Sequence, residues 1–328
     1  MTRGRSPSDP AHRRGEIHVG VVADGPAAGT RVITVQLADS WVFRVLLDRG
    51  ADIGSAWFRG SPIAWTSPVG ERPPLQSLRG DAWLGAFGGG LVTTCGLRNV
   101  GSPSEGYPLH GAYSHQSATL IGIEERVIGD ARHVSIRTRV DEVLTSRGHL
   151  RLERTIAASS GSGVLTVDDV TTNLGPMVEP APILYHVNLG APLISPGATV
   201  RVGARLVTPR DPASAAQLEF VTRFGPPDAL APEAVFEHEL QADEAGTAHA
   251  RVTNPGTRLA CDLSWPTATL PRFHQWIRRS PGWYVLGLEP ANSSVQGRAY
   301  DRAAGRLPVL EVGERRVTGL AIDVAELG

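Results

Sequence analysis

Polar and apolar residues alternate along most of this chain. In HVSIRTRV (133–140), Val134, Ile136, Thr138 and Val140 share one face and Ser135, Arg137 and Arg139 the other. Successive side chains of a β-strand point to opposite faces, so a period of two predicts a half-buried strand. HLRLERTIA (149–157), GVLTVDDVTTN (163–173) and RRVTGLAIDV (315–324) alternate in the same way. Further strands are predicted over 18–24, 30–37, 41–47, 91–95, 118–125, 200–207, 218–224, 247–254, 258–265 and 283–289. Only DPASAAQ (211–217) and PRFHQWIRR (271–279) read as short helices. The 37 Gly and 25 Pro supply turns between the strands and leave little room for helix.

Many strands with turns between them predict an all-β sandwich or barrel, here large antiparallel sheets packed face to face. No repeat of fixed period is visible. After MTRGRSPSDPAHRRG (1–15), which is polar and rich in Arg, Ser and Pro, no linker divides the chain. Residues 1–15 therefore read as a disordered tail and 16–328 as a single β domain. The tail lacks the apolar stretch of a secretory signal, and no segment is long enough to span a bilayer, so a cytoplasmic location is expected.

Composition narrows the partners. The chain has 328 residues, a formal net charge of −1, and basic residues scattered along its length. A nucleic-acid or anionic-membrane surface needs a concentrated basic field, so neither partner is expected. Cys95 and Cys261 show no metal-type spacing, and nothing pairs them. The composition leaves the oligomeric state open.

Four stretches carry polar groups that a core does not need. In ILYHVNLGAPL (183–193), Leu184, His186 and Asn188 share a face, opposite Ile183, Tyr185, Val187 and Leu189. In FGGGLVTTCGLRNVG (87–101), three glycines precede a strand that runs into Arg98 and Asn99. Such glycines serve either a tight bulge or a close approach of backbone to ligand, and no phosphate-loop spacing is present. GYPLHGAYSH (106–115) places His110 and His115 in a turn-rich context without a third metal ligand at a recognisable spacing. In WYVLGLEPANSS (283–294), Glu289 ends an apolar strand on the face opposite Leu286 and Leu288, and a partly desolvated carboxylate there suits a general base.

Together these stretches resemble the aldose 1-epimerase (galactose mutarotase) superfamily and, within it, a branch of bacterial mutarotase-like proteins. The similarity extends over nearly the whole chain after residue 40. It is carried by 47–70, 87–101, LHG (109–111), LYHVNLGAPL (184–193), VTPRD (207–211), YVLGLEPAN (284–292) and GRLPVLEVGE (305–314). The resemblance implies a β-supersandwich whose open face holds a sugar, and an isomerase that needs no cofactor or metal. A glutamate takes the proton of the anomeric hydroxyl, a histidine protonates the ring oxygen, and the opened aldehyde rotates before closing as the other anomer.

Carried onto this sequence, Glu289 is the base, His186 the acid and His110 a second polar contact. Asn188 and Asn292 are placed to bind hydroxyls, with Arg98 and Arg49 as further candidates. His115 and Gln275 stand where the chain is compared with two further patterns of the branch, and they join the substrate-binding candidates. Two departures stand out. The branch pattern HGRxSN reads HGAYSH here, with Ala112 and His115, and QWK reads Gln275-Trp276-Ile277, followed by Arg278 and Arg279. The rim has changed while the acid–base pair is kept, which predicts an altered substrate. A different reaction beside a carbonyl, epimerisation or elimination, and a non-catalytic sugar-binding protein are the competing readings.

Overall fold

The computed structural model describes residues 15–145 and 147–328, so the expected tail, except Gly15, lies outside the described residues. The first strands are β1 (Gly15–Val21), β2 (Arg31–Leu37), β3 (Trp41–Leu46), β4 (Asp52–Phe58), β5 (Ser61–Pro62) and β6 (Val92–Gly96). Next come the long strands β7 (Thr119–Ile128), β8 (Ala131–Leu144), β9 (Gly148–Ser159) and β10 (Val164–Asn173). The middle of the chain holds β11 (Glu179–Pro180), β12 (Ile183–Leu189), β13 (Thr199–Val202), β14 (Ala204–Pro209), the helix α1 (Pro212–Ala215) and β15 (Ala234–Leu240). The last elements are β16 (Thr247–Asn254), β17 (Leu259–Pro266), β18 (Arg272–Ser280), β19 (Trp283–Ala291), α2 (Arg298–Ala303), β20 (Val309–Leu310) and β21 (Arg315–Glu326).

Two large antiparallel sheets face each other. One runs β1-β2-β3-β4-β6-β12-β19-β18-β15-β14, with β5 paired to β4. The other runs β13-β16-β17-β21-β10-β9-β8-β7. The period-two residues meet between them: Ile136 and Val140 of β8, Leu150 and Leu152 of β9, and Leu165 and Val167 of β10 pack with Tyr185 and Val187 of β12 and Leu286 and Leu288 of β19. Arg154 crosses this core. It bonds Asp169 (2.7 Å) and Asp52 (3.1 Å) and donates to Thr94 Oγ1 (2.8 Å), so both charges and both sheets are tied to one buried guanidinium. Asp52 accepts from Thr94 N (3.0 Å) as well.

Three predicted elements differ. The helix expected at 271–279 is replaced by the strand β18, because Phe273 and Ile277 face the inter-sheet core and Trp276 the opposite face. Their spacing imitates a helix, but the strand is apolar on both sides. The span 200–207 is two strands in different sheets, β13 and β14. Residues 218–224 are not a strand; a 3₁₀ turn at Leu218–Phe220 leads into irregular chain. The short helix expected within 211–217 is α1, capped by Asp211, which accepts from Ser214 N.

Most strands of the large sheet have one covered face, but every residue of β12 is buried. Loops 63–91 and 97–115 lie across the outer side of the central strands β6, β12, β19 and β18. They form a second apolar cluster there, with Trp65, Trp83, Phe87, Leu184, Val285 and Trp276. Polar groups on this outer face are therefore held in a dry, roofed space rather than in solvent.

Candidate active site

β12 and β19 are antiparallel neighbours, with Val187 opposite Leu288 and Leu184 opposite Ala291. This register sets His186 opposite Glu289, both on the outer face. Their side chains meet, with His186 Nε2 3.2 Å from Glu289 Oε1. On the other flank of β19, His274 of β18 pairs with Glu289, and its Nε2 lies 3.2 Å from Ser293 O. Between these groups stands Gly287, opposite both Asn188 and Trp276. A Cβ there would come within 2.9 Å of Glu289 Oε1 and 3.0 Å of both His186 Cε1 and Trp276 Cβ. Only glycine lets the three side chains converge.

His110 arrives from the loop after β6. Its backbone is left-handed (φ 57°), and two hydrogen bonds fix it: His110 N to Gly101 O (2.9 Å) and Gly96 N to His110 O (2.9 Å). Gly101 N donates to His110 Nδ1 (3.4 Å), so the ring proton sits on Nε2. The ring lies 4.7 Å from that of Trp83 and 6.2 Å from that of His186.

His110, His186 and Glu289 line one cavity of about 260 Å³. Its apolar walls come from Trp83, Phe87, Trp276 and Trp283, and its charged rim from Arg210, Glu233 and Arg278. A small, roofed cavity with aromatic walls and a few convergent polar groups is the usual form of a small-molecule site.

Burial sets the protonation states. It pushes the Glu289 carboxyl up to about 8; the Glu233 carboxylate adds to the push and Arg210 opposes it. Burial pushes His186 down to about 3, with His110 adding to the effect and the Asn188 side chain opposing it. His110 falls to about 4, again by burial, with smaller contributions from His274 and Arg210. A dry site disfavours every charged form, so at neutral pH His186 and Glu289 together hold one proton. The stable arrangement is the neutral one, a carboxyl group facing the imidazole. His186 Nδ1 and Asn188 Oδ1 are both buried on the same strand face with no hydrogen-bond partner among the described residues, and the Asn188 side chain favours a proton on His186. The Nδ1–H tautomer suits that pairing and turns the Nε2 lone pair toward Glu289.

The remaining candidates lie elsewhere. Asn188 is beneath the cavity floor, its amide donating to Gly90 O and His186 O (both 2.9 Å). Asn292 accepts from Ile183 N (2.7 Å) and donates to Ala181 O (3.3 Å), closing the end of the β12–β19 pair. Arg98 is buried against Glu179 (2.6 Å) and Glu142 (3.2 Å), bracing the loop that carries His110. Arg49 donates to Ser114 O and Arg72 O, and its guanidinium lies 3.5 Å from His115 Nε2. His115 accepts from Leu75 N (3.0 Å), and burial holds its pKa down at about 3. Gln275 faces the inter-sheet side, donating to Val221 O (2.9 Å). Each of these six polar side chains makes at least one structural bond, and none lines the cavity. The glycine triplet also serves packing: a Cβ on Gly90 would lie 2.7 Å from Ile53 O.

Arg210, Glu233, Trp83 and Trp283 line the cavity without being among the residues expected there. Arg210 sits inside the matched VTPRD segment, which is a usable signal; Glu233 and the two tryptophans stand in sequence surroundings that carry none.

A family model described as a domain of unknown function (DUF4432) matches residues 27–324. No curated protein is significantly similar in sequence. Among solved structures, a "putative aldose 1-epimerase" from Klebsiella pneumoniae is 25% identical with a TM-score of 0.89, covering 94% of this chain and 83% of that one. A galactose mutarotase-like protein from Clostridium acetobutylicum is 12% identical with a TM-score of 0.63, covering 96% of this chain and 100% of that one. A galactose mutarotase related enzyme from Lactobacillus acidophilus is 12% identical with a TM-score of 0.55, covering 95% of this chain and 100% of that one. No helix among the described residues is long and apolar enough to cross a membrane. Matched to that family model over nearly its whole length and built on the β-sandwich of the galactose mutarotase-like proteins, the chain belongs to the DUF4432 family.

Proposed function

We propose that the chain is an aldose 1-epimerase that interconverts the α and β anomers of a free sugar. The reading rests on the 3.2 Å approach of His186 Nε2 to Glu289 Oε1 on the wall of an aromatic-lined cavity. The pair holds one proton. Passing it from Glu289 to His186 creates a carboxylate base and an imidazolium acid in a single step. The carboxylate takes the proton of the anomeric hydroxyl while the imidazolium protonates the ring oxygen, and the C1–O5 bond breaks. Both oxygens are attached to the same carbon, so groups this close together can serve them at once. The pair is left in its neutral form, which is the form needed for closure: Glu289 returns a proton to O1 as His186 takes one from O5. Rotation about C1–C2 before closure gives the other anomer.

His110, with its proton on Nε2, supplies a fixed donor to a sugar oxygen. Trp83, Trp276 and Trp283 supply aromatic wall for the C–H groups of the ring. Each positioned acid or base typically contributes ~10²–10⁴-fold, which is ample for a reaction that already proceeds in water.

The test is exchange NMR at the anomeric protons of a panel of aldoses in deuterated buffer. Faster α/β exchange without deuterium entering carbon supports the reading. Deuterium at a carbon beside the carbonyl would replace it with epimerisation or elimination, and binding without acceleration would replace it with a sugar-binding role.

A further inference from the structure

Four side chains of the cavity can carry a full charge outside the imidazoles: Arg210, Glu233, Arg278 and Glu289. Arg210 is engaged, its Nε bonding Asp211 (2.9 Å) and its other arm Glu233 (3.2 Å). Glu289 and the two imidazoles are neutral near pH 7 in this dry space. Arg278 is left over. Among the described residues it has no carboxylate partner, and its Nε is buried with no hydrogen-bond acceptor. Its guanidinium rests 5.1 Å over the Trp283 ring. The next residue differs at its terminal nitrogens: Arg279, on the opposite face, shares a buried Nε without an acceptor but donates from both arms, to Pro226 O and to Gln217 Oε1 (2.8 Å), and lies over Phe220. A half-buried guanidinium that faces a ligand cavity with its donors unused is suited to bind a carboxylate or phosphate.

We infer that the substrate is an anionic sugar, with a carboxylate or phosphate at the end remote from its anomeric carbon, and that Arg278 binds that group. This rests on the mutarotase reading for where the anomeric carbon lies. The register supplies the direction. Glu289 pairs with His274 and Arg278 with Val285, so the two cavity groups are four residues apart along β18. At ~3.4 Å per residue their backbones are about 14 Å apart. The ligand therefore bridges from the acid–base pair to the guanidinium, its reacting carbon at one end and its charge at the other.

The experiment compares matched sugars on the wild-type protein: glucose, glucuronate and glucose 6-phosphate, by anomeric exchange and by ligand-observed saturation-transfer NMR. An acidic sugar should be favoured over glucose by about tenfold or more in kcat/KM or affinity, the scale of a charge-assisted bidentate contact. Which acid is favoured separates carboxylate from phosphate. The preference should shrink as salt is raised, collapse toward unity in Arg278→Met, and survive in part in Arg278→Lys, with both variants checked for folding by circular dichroism. Equal treatment of acidic and neutral sugars by the wild type, or a preference untouched in Arg278→Met, overturns the inference. If no sugar exchanges faster but the acids still bind through Arg278, the mutarotase reading fails and the anion site stands. If neither acid binds, the anion site falls as well.

Discussion

Replacing Glu289 with glutamine should stabilise the protein, and increasingly so as pH rises. A carboxyl pushed from its ordinary 4.5 to about 8 is protonated in the folded state while the unfolded chain has already released its proton. The folded state then binds more protons, so stability falls with rising pH between those two values. At 1.36 kcal/mol per pH unit, keeping this group protonated costs about 1 kcal/mol at pH 5, about 3 kcal/mol at pH 7 and about 5 kcal/mol above pH 9. Glutamine is neutral at every pH and avoids this cost. Any difference in packing between the two side chains adds an offset that does not vary with pH, and the unfolded histidines titrate alike in both proteins, so the difference curve isolates Glu289. Urea unfolding of both proteins at pH 5, 6, 7 and 8 measures it. A wild-type deficit that grows by several kcal/mol over this range supports the buried neutral carboxyl. A flat difference curve would mean that Glu289 ionises at its ordinary value, and the one-proton account of the pair would fail.

Four further outcomes follow. Catalysis needs one proton on the pair, so kcat/KM should be level from pH 5 to 7 and decline above about 8, as Glu289 loses its proton; a rate that climbs through pH 8 refutes the assignment. Gly287→Ala should fold yet lose roughly a hundredfold in rate, the scale of a 1 Å displacement in a catalytic group, as seen by circular dichroism alongside the exchange assay. Arg154→Met leaves Asp169 and Asp52 without their counter-charge and should cost about 3–5 kcal/mol in urea unfolding, whereas a loss under 1 kcal/mol would show that the network is dispensable. Asn188→Leu should lower kcat and shift its pH profile while leaving KM nearly unchanged, because the amide sets the His186 tautomer; an altered KM alone would point to direct sugar contact instead.

Much of this is legible in the alternation of single strands. The faces of His186 and Glu289 follow from their apolar neighbours, Tyr185 and Val187 on β12 and Leu286 and Leu288 on β19, and the structure keeps those faces. Alternation gives a face but not a depth. Asn188 shares the face of His186 yet lies under Gly90, because loops roof the sheet at that point. Arg98 is polar and near the glycine run, but its partners Glu142 and Glu179 come from distant parts of the chain, and no local pattern announces them. β18 reads as a helix because a strand buried on both sides loses its period of two. Phe273, Trp276 and Ile277 then fall at helical spacing by accident. A helix at 271–279 gives Trp276 and Arg278 no defined place; only the register with β19 puts the rim cation at the cavity.

The central claim is that His186 and Glu289 act as one proton-sharing unit. Its most direct test is the anomeric exchange rate of the preferred sugar with wild type, His186→Ala, Glu289→Gln and the double variant, each confirmed as folded. Groups that act as a unit are not additive, so each single variant should fall close to the uncatalysed rate and the double variant no further. Substantial exchange remaining in Glu289→Gln, or single losses that multiply in the double variant, would contradict the account.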